Sequence, residues 1–199
     1  MDPNVFNRIP AEPAYDTLQV PTNVALLIED PIEISKVTDK YFGTIHKWFS
    51  IISKKRFFDQ HHTMISSRPE FALLVLCMKV IVTILPENSS NPKTQLYYTA
   101  KYFYLEVETS TSLSILILQA GLLLSLYELG HAIYPAAYLS IGACARYAYA
   151  LGINRNARTR PIKVLTLVEL EEANRIWWAI VLLDRSAPLC CDMSSGRVI

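Results

Sequence analysis

Two long apolar runs, residues 71–85 and 109–127, constrain this chain more than any other feature. The first carries a single charge, Lys79, near its middle, and the second carries none over nineteen residues. A membrane span needs about 20 predominantly apolar residues. The second run opens on Thr109, Ser110, Thr111 and Ser112 and contains Gln119, Gly121 and Ser125, which leaves too short an apolar part. Lys79 is costly in hydrocarbon and harmless on a wet helix face. Both runs are therefore expected as core helices of a water-soluble fold. With 51% hydrophobic and 19% charged residues the chain can bury a substantial core, which excludes disorder. Its 199 residues suit one domain with an arm. Only six glycines speak against a turn-rich all-β fold, and a net charge of +1 gives no global attraction to nucleic acid or anionic lipid.

Five of the eleven prolines (Pro3, Pro10, Pro13, Pro21 and Pro31) fall early, so residues 1–37 are expected to form an extended arm without a helix. From Thr38 the spacing of Tyr41, Ile45, Trp48, Phe49 and Ile52 predicts a helix, followed by a basic tip at Lys54, Lys55 and Arg56. Ser67-Arg68-Pro69-Glu70 reads as a capping box that opens a helix to Leu85. Leu96, Ala100, Phe103 and Val107 share a face of the next helix. Ser112 is expected to cap a helix over 113–129, with Gly130 as its left-handed stop. A further helix runs from Pro135 to Gly152 with Ala136, Leu139, Ala143, Tyr147, Ala148 and Leu151 on its apolar side. A basic loop then leads to a second capping box, Thr166-Leu-Val-Glu169. In the last helix Leu170, Trp177, Ile180, Val181 and Asp184 fall near one stripe, while Glu171, Glu172 and Arg175 belong to the wetter side. The expected fold is all-α, about six helices in an irregular antiparallel array, incomplete at the C-terminus.

Chemistry is sparse. Cys77, Cys144, Cys190 and Cys191 have no zinc-ligand spacing, the first residues contain no apolar leader, and a reducing intracellular setting is expected. There is no nucleophile elbow, no zinc-protease motif and no glycine-rich phosphate loop. His61 and His62 read as a solvated loop, His46 as a helix edge and His131 as a helix C-terminus. Neighbouring Glu171 and Glu172 diverge by about 100° on a helix, so they read as first-turn acids and not as a catalytic pair. No catalytic, cofactor-binding or metal-ligating residue is assigned, and no enzyme is expected.

One constellation goes beyond packing: Leu151-Gly152-Ile153-Asn154-Arg155, then Glu171-Glu172-Ala173-Asn174-Arg175-Ile176-Trp177-Trp178, then Leu183-Asp184-Arg185 and Gly196-Arg197. It resembles the fungal-specific transcription factor domain, the middle homology region found downstream of Zn2Cys6 binuclear cluster DNA-binding domains. The likeness spans residues 38–197, with Val198 where the family usually has proline. It implies that Leu151, Gly152, Arg155, Arg175, Trp177, Trp178, Asp184, Arg185, Gly196 and Arg197 are signature positions with structural roles. Burial of both tryptophans and an Asp184–Arg185 ion pair are expected with it. The resemblance implies that residues 38–199 are a partial regulatory domain of a nuclear factor controlling RNA polymerase II transcription. Coregulator proteins, a small-molecule effector and a second copy are the implied partners. Zinc and DNA are implied only through a cluster of six cysteines that these residues do not contain. The competing reading is a membrane-associated or scaffold helical protein without catalytic activity.

Overall fold

The computed structural model describes residues 18–28, 30–64, 68–85, 91–153 and 166–194, the side chains of 60–64 and 188–194 excepted. Its elements are α1 (Thr22–Ile28), α2 (Pro31–Gly43), a 3-10 turn (Ile45–Lys47), α3 (Lys54–Met64), α4 (Pro69–Val82), α5 (Gln95–Ser110), α6 (Ile115–Gly130), α7 (Ala136–Ala150) and α8 (Leu167–Ser194). The class is all-α as the sequence predicts, with eight α-helices among the described residues in place of about six.

The two apolar runs become α4 and α6, which pack on each other at the centre. In α4 every residue from 71 to 78 is at most 1% exposed, as befits a helix covered on all sides. α1, α2 and α5 wrap α4, while α5, α7 and α8 cover α6. Among the described residues no helix is long and apolar enough to cross a membrane. Lys79 does not face water as expected. Its ammonium donates to the Leu27 carbonyl at 2.9 Å and pairs with Glu33, so α1 and α2 lie over it.

That cover corrects the expected extended arm over its described part, residues 18–37. Pro31 occupies the first turn of α2, where a missing N–H interrupts nothing, and Asp30 caps the helix by accepting from the Ile32 N–H at 2.9 Å. Val24, Ile28 and Ile34 are buried. Pro21 and Pro31 thus mark helix starts, just before α1 and in the first turn of α2. The helix expected from Thr38 to Ile52 is also corrected: α2 stops at Gly43, and Ile51 and Ile52 reach the core from a link between helices.

Several boundaries differ by a residue or two. Ser67 lies outside the described residues, and Arg68 precedes α4 without a capping side-chain bond. Ser114, not Ser112, caps α6, its hydroxyl accepting from the Leu116 N–H at 3.3 Å. Gly130 is the last helical residue of α6, and the left-handed position is Ala132, at φ 53°. The Ile133 N–H donates to the Glu128 carbonyl at 2.8 Å and the Ala132 N–H to the Leu129 carbonyl at 3.2 Å, a Schellman stop. α7 ends the same way at Gly152, φ 74°, where the sequence places it. The inner face of α7 is Ala137, Ile141, Cys144, Tyr147 and Ala148, and Leu139 faces out, contrary to the expected stripe. At Gly121 a Cβ would meet the Tyr104 hydroxyl at 2.9 Å and the Cys144 sulfur at 3.0 Å, so side chains of α5 and α7 fill the space beside α6 there.

Candidate functional site

α8 begins with the capping box predicted for it: the Thr166 N–H donates to Glu169 at 2.9 Å, and the Glu169 N–H donates to the Thr166 hydroxyl at 3.3 Å. Its inner face is Glu172, Ile176, Ala179, Ile180, Leu183 and Ala187. The expected stripe is thus rotated. Leu170 and Asp184 face out, and Glu172, expected on the wet side, is 6% exposed.

A buried carboxylate is tolerated only when donors replace its lost water. Glu172 has them from three directions. Oε1 accepts the Ser53 backbone N–H at 2.9 Å and the Gln119 amide at 2.8 Å, and Oε2 pairs with the Arg56 guanidinium. The second proton of the Gln119 amide reaches the Ile51 carbonyl at 2.9 Å. Arg56 also approaches Glu169 at 3.8 Å. This hub joins the link before α3, the middle of α6 and the start of α8. Sequence reasoning missed Glu172, although Gln119 inside an uncharged run signalled that some polar partner must come to it.

A second hub joins α5, α6 and α7. Glu128 is fully buried, and its Oε1 accepts the Tyr97 hydroxyl and the Lys101 ammonium, both at 2.7 Å. Lys101 also donates to the Ser140 hydroxyl at 2.7 Å, and Glu128 Oε2 has no hydrogen-bond partner among the described residues. Burial, then the hydrogen bond to Glu128, holds the Tyr97 phenol well above its usual range. Tyr97 stacks on Tyr127 at 5.6 Å, and the Tyr127 hydroxyl donates to the Pro92 carbonyl at 2.7 Å.

The histidines stand apart from one another. His46 lies in the 3-10 turn 5.0 Å from the Phe42 ring, its Nδ1 buried without a hydrogen-bond partner among the described residues. Burial lowers its pKa, as do the charges of Arg175 and Lys54. His131 follows α6 as expected, with Nδ1 2.9 Å from the Tyr127 carbonyl. His61 and His62 belong to α3 and not to a loop, and their side chains lie outside the described residues. Cys77 and Cys144 are buried free thiols, and burial pushes Cys144 up to about 12, far from a reactive thiolate. Cys190 and Cys191 fall within α8, their side chains outside the described ones.

The signature positions are distributed, not convergent. Leu151 and Gly152 close α7. Arg175 pairs with Glu171 on the outside of α8, so Glu171 and Glu172 part company as expected of neighbours. Trp177 is half-buried and meets Tyr149 of α7 at 5.5 Å, while Trp178 is 59% exposed, which corrects its expected burial. Asp184 and Arg185 are exposed, and no ion pair joins them among the described residues, a second correction. Successive residues on a helix point about 100° apart, which is why neither adjacent pair acts as a unit. Arg155, Gly196 and Arg197 lie outside the described residues. No group of three or more His, Cys, Asp or Glu among the described residues is placed to hold a metal ion. The arrangement fastens helices and, among the described residues, places no nucleophile beside a base.

Comparison with known proteins agrees with that character. Residues 38–191 match the family model described as the fungal specific transcription factor domain. The chain is 38% identical over 167 residues to the transcription factor BOA15 of Botryotinia fuckeliana (strain B05.10), covering 81% of this chain and 93% of that one. It is 20% identical over 188 residues to the citrinin biosynthesis transcriptional activators mrl3 of Monascus ruber and ctnR of Monascus purpureus. Those alignments cover 92% of this chain and 36% and 32% of the activators, so the chain spans about a third of their length. No solved structure matches. On the family match over residues 38–191 and the 38% identity to a transcription factor over most of both chains, this chain belongs to the fungal specific transcription factor domain family.

Proposed function

We propose that this chain, a regulatory portion of a fungal transcription factor and not an enzyme, works in the nucleus by protein contact. Coregulators or a small effector bind its helical body, and DNA is reached through a separate zinc-cluster module. The observation that carries this reading is the Glu172 hub. It ties the last helix to residues 51–56 and to the central helix, so a contact made on α8 is transmitted to the core as one body. The transcription-factor relatives support the nuclear setting.

The test is a transcriptional fusion. The full chain is joined to an unrelated DNA-binding domain in a fungal cell that carries a reporter behind the matching operator. Reporter output is expected to differ from that of the DNA-binding domain alone, and Glu172→Ala is expected to return it toward that baseline. A folded, nuclear fusion that leaves the reporter unchanged overturns the reading.

A further inference from the structure

The outward stripe of α8 points away from its buried face and carries large apolar side chains. Trp178 is 59% exposed and Leu182, one turn on, 62%. Trp, Tyr and Arg are the side chains that dominate the centres of protein interfaces. Charge placement selects the occupant. Glu171 and Arg185 lie seven residues on either side of Trp178, both exposed. At 100° and 1.5 Å per residue each falls within about 20° of the Trp178 direction and about 10.5 Å along the axis. The stripe is therefore complementary to itself when reversed. We infer that this face pairs antiparallel with a second copy of the chain, Trp178 meeting Trp178 on the two-fold axis and Glu171 meeting Arg185 of the second copy.

A two-fold interface uses the same patch twice, so each such contact occurs in duplicate. Arg185 is available for it, having no ion pair among the described residues, whereas Glu171 also holds Arg175 within its own helix. The inference goes beyond the regulatory reading. Its test reads association in solution, so either can fail without the other.

Sedimentation velocity of the full chain between about 1 and 100 μM is the measurement, a range that brackets micromolar self-association. The expected result is a concentration-dependent dimer that Trp178→Ala weakens about tenfold or more. Arg185→Glu leaves the Glu171–Arg175 pair intact and sets Glu against Glu across the axis, so it weakens the dimer. Glu171→Arg does the same with Arg against Arg, and combining the two reversals restores association. Circular dichroism confirms that each variant keeps its helices, as expected for exposed positions. A monomer throughout the range, a dimer indifferent to the single reversals, or a double reversal no better than either single one overturns the inference.

Discussion

Glu172 receives three donors on two oxygens while 6% exposed, so its charge is committed to holding three segments together. Removing one partner of such a pair costs more than the pair contributes, because the other charge stays half-desolvated. Glu172→Ala leaves the Arg56 guanidinium, the Gln119 amide and the Ser53 N–H without their acceptor. We expect it to lower stability by about 3 kcal/mol, read as a shift in the midpoint of urea denaturation. Glu172→Gln keeps an acceptor oxygen and is expected to lose less. Substitution of Glu171, one position away and exposed, is expected to change stability by less than about 0.5 kcal/mol. This ordering was not legible in the sequence. Two adjacent glutamates at a helix start look alike until the packing direction of the helix decides which one turns inward.

Helix ends were more legible than helix faces, because caps are local chemistry. Thr166 and Glu169 form their box, and Gly152 ends α7 where the sequence places that end, at a positive φ. α6 shows where local rules give way. Its Schellman stop falls on Ala132 at φ 53°, two residues past the glycine that would suit it. A Cβ in the left-handed region costs about 1–2 kcal/mol, so Ala132→Gly is expected to raise stability by about 0.5–1 kcal/mol. At Gly152 the reverse holds. Nothing lies within 4 Å of a Cβ built there, so Gly152→Ala acts through the backbone alone and is expected to lower stability by about 1 kcal/mol. Equilibrium urea unfolding of the two variants beside the parent checks both signs. If Ala132→Gly lowers stability, the register of that stop is wrong.

At the scale of the whole molecule the segment ahead of the family match is part of the core. α1 and α2 bury Val24, Ile28 and Ile34 and supply both partners of Lys79. Each buried aliphatic side chain contributes about 1.5–3 kcal/mol against a typical net stability of about 5–15 kcal/mol. A chain beginning at Thr38 is therefore expected to lose its cooperative thermal transition and its near-ultraviolet circular dichroism. A melt within a few degrees of the full chain would show that α1 and the start of α2 only rest on the surface.

The sequence by itself determined the helical class, the two central helices and the family. Those follow from apolar run length, scarce glycine and the order of short motifs, all of which are local or cumulative along the chain. Only the tertiary structure decided that α1 and α2 fold over Lys79, that Glu172 and Gln119 find each other across 53 positions, and that Trp178 faces outward. Each of those depends on how far a helix is rotated about its axis. Rotation is set by the total packing of its neighbours, and a shift of one residue turns a side chain by about 100° from core to surface.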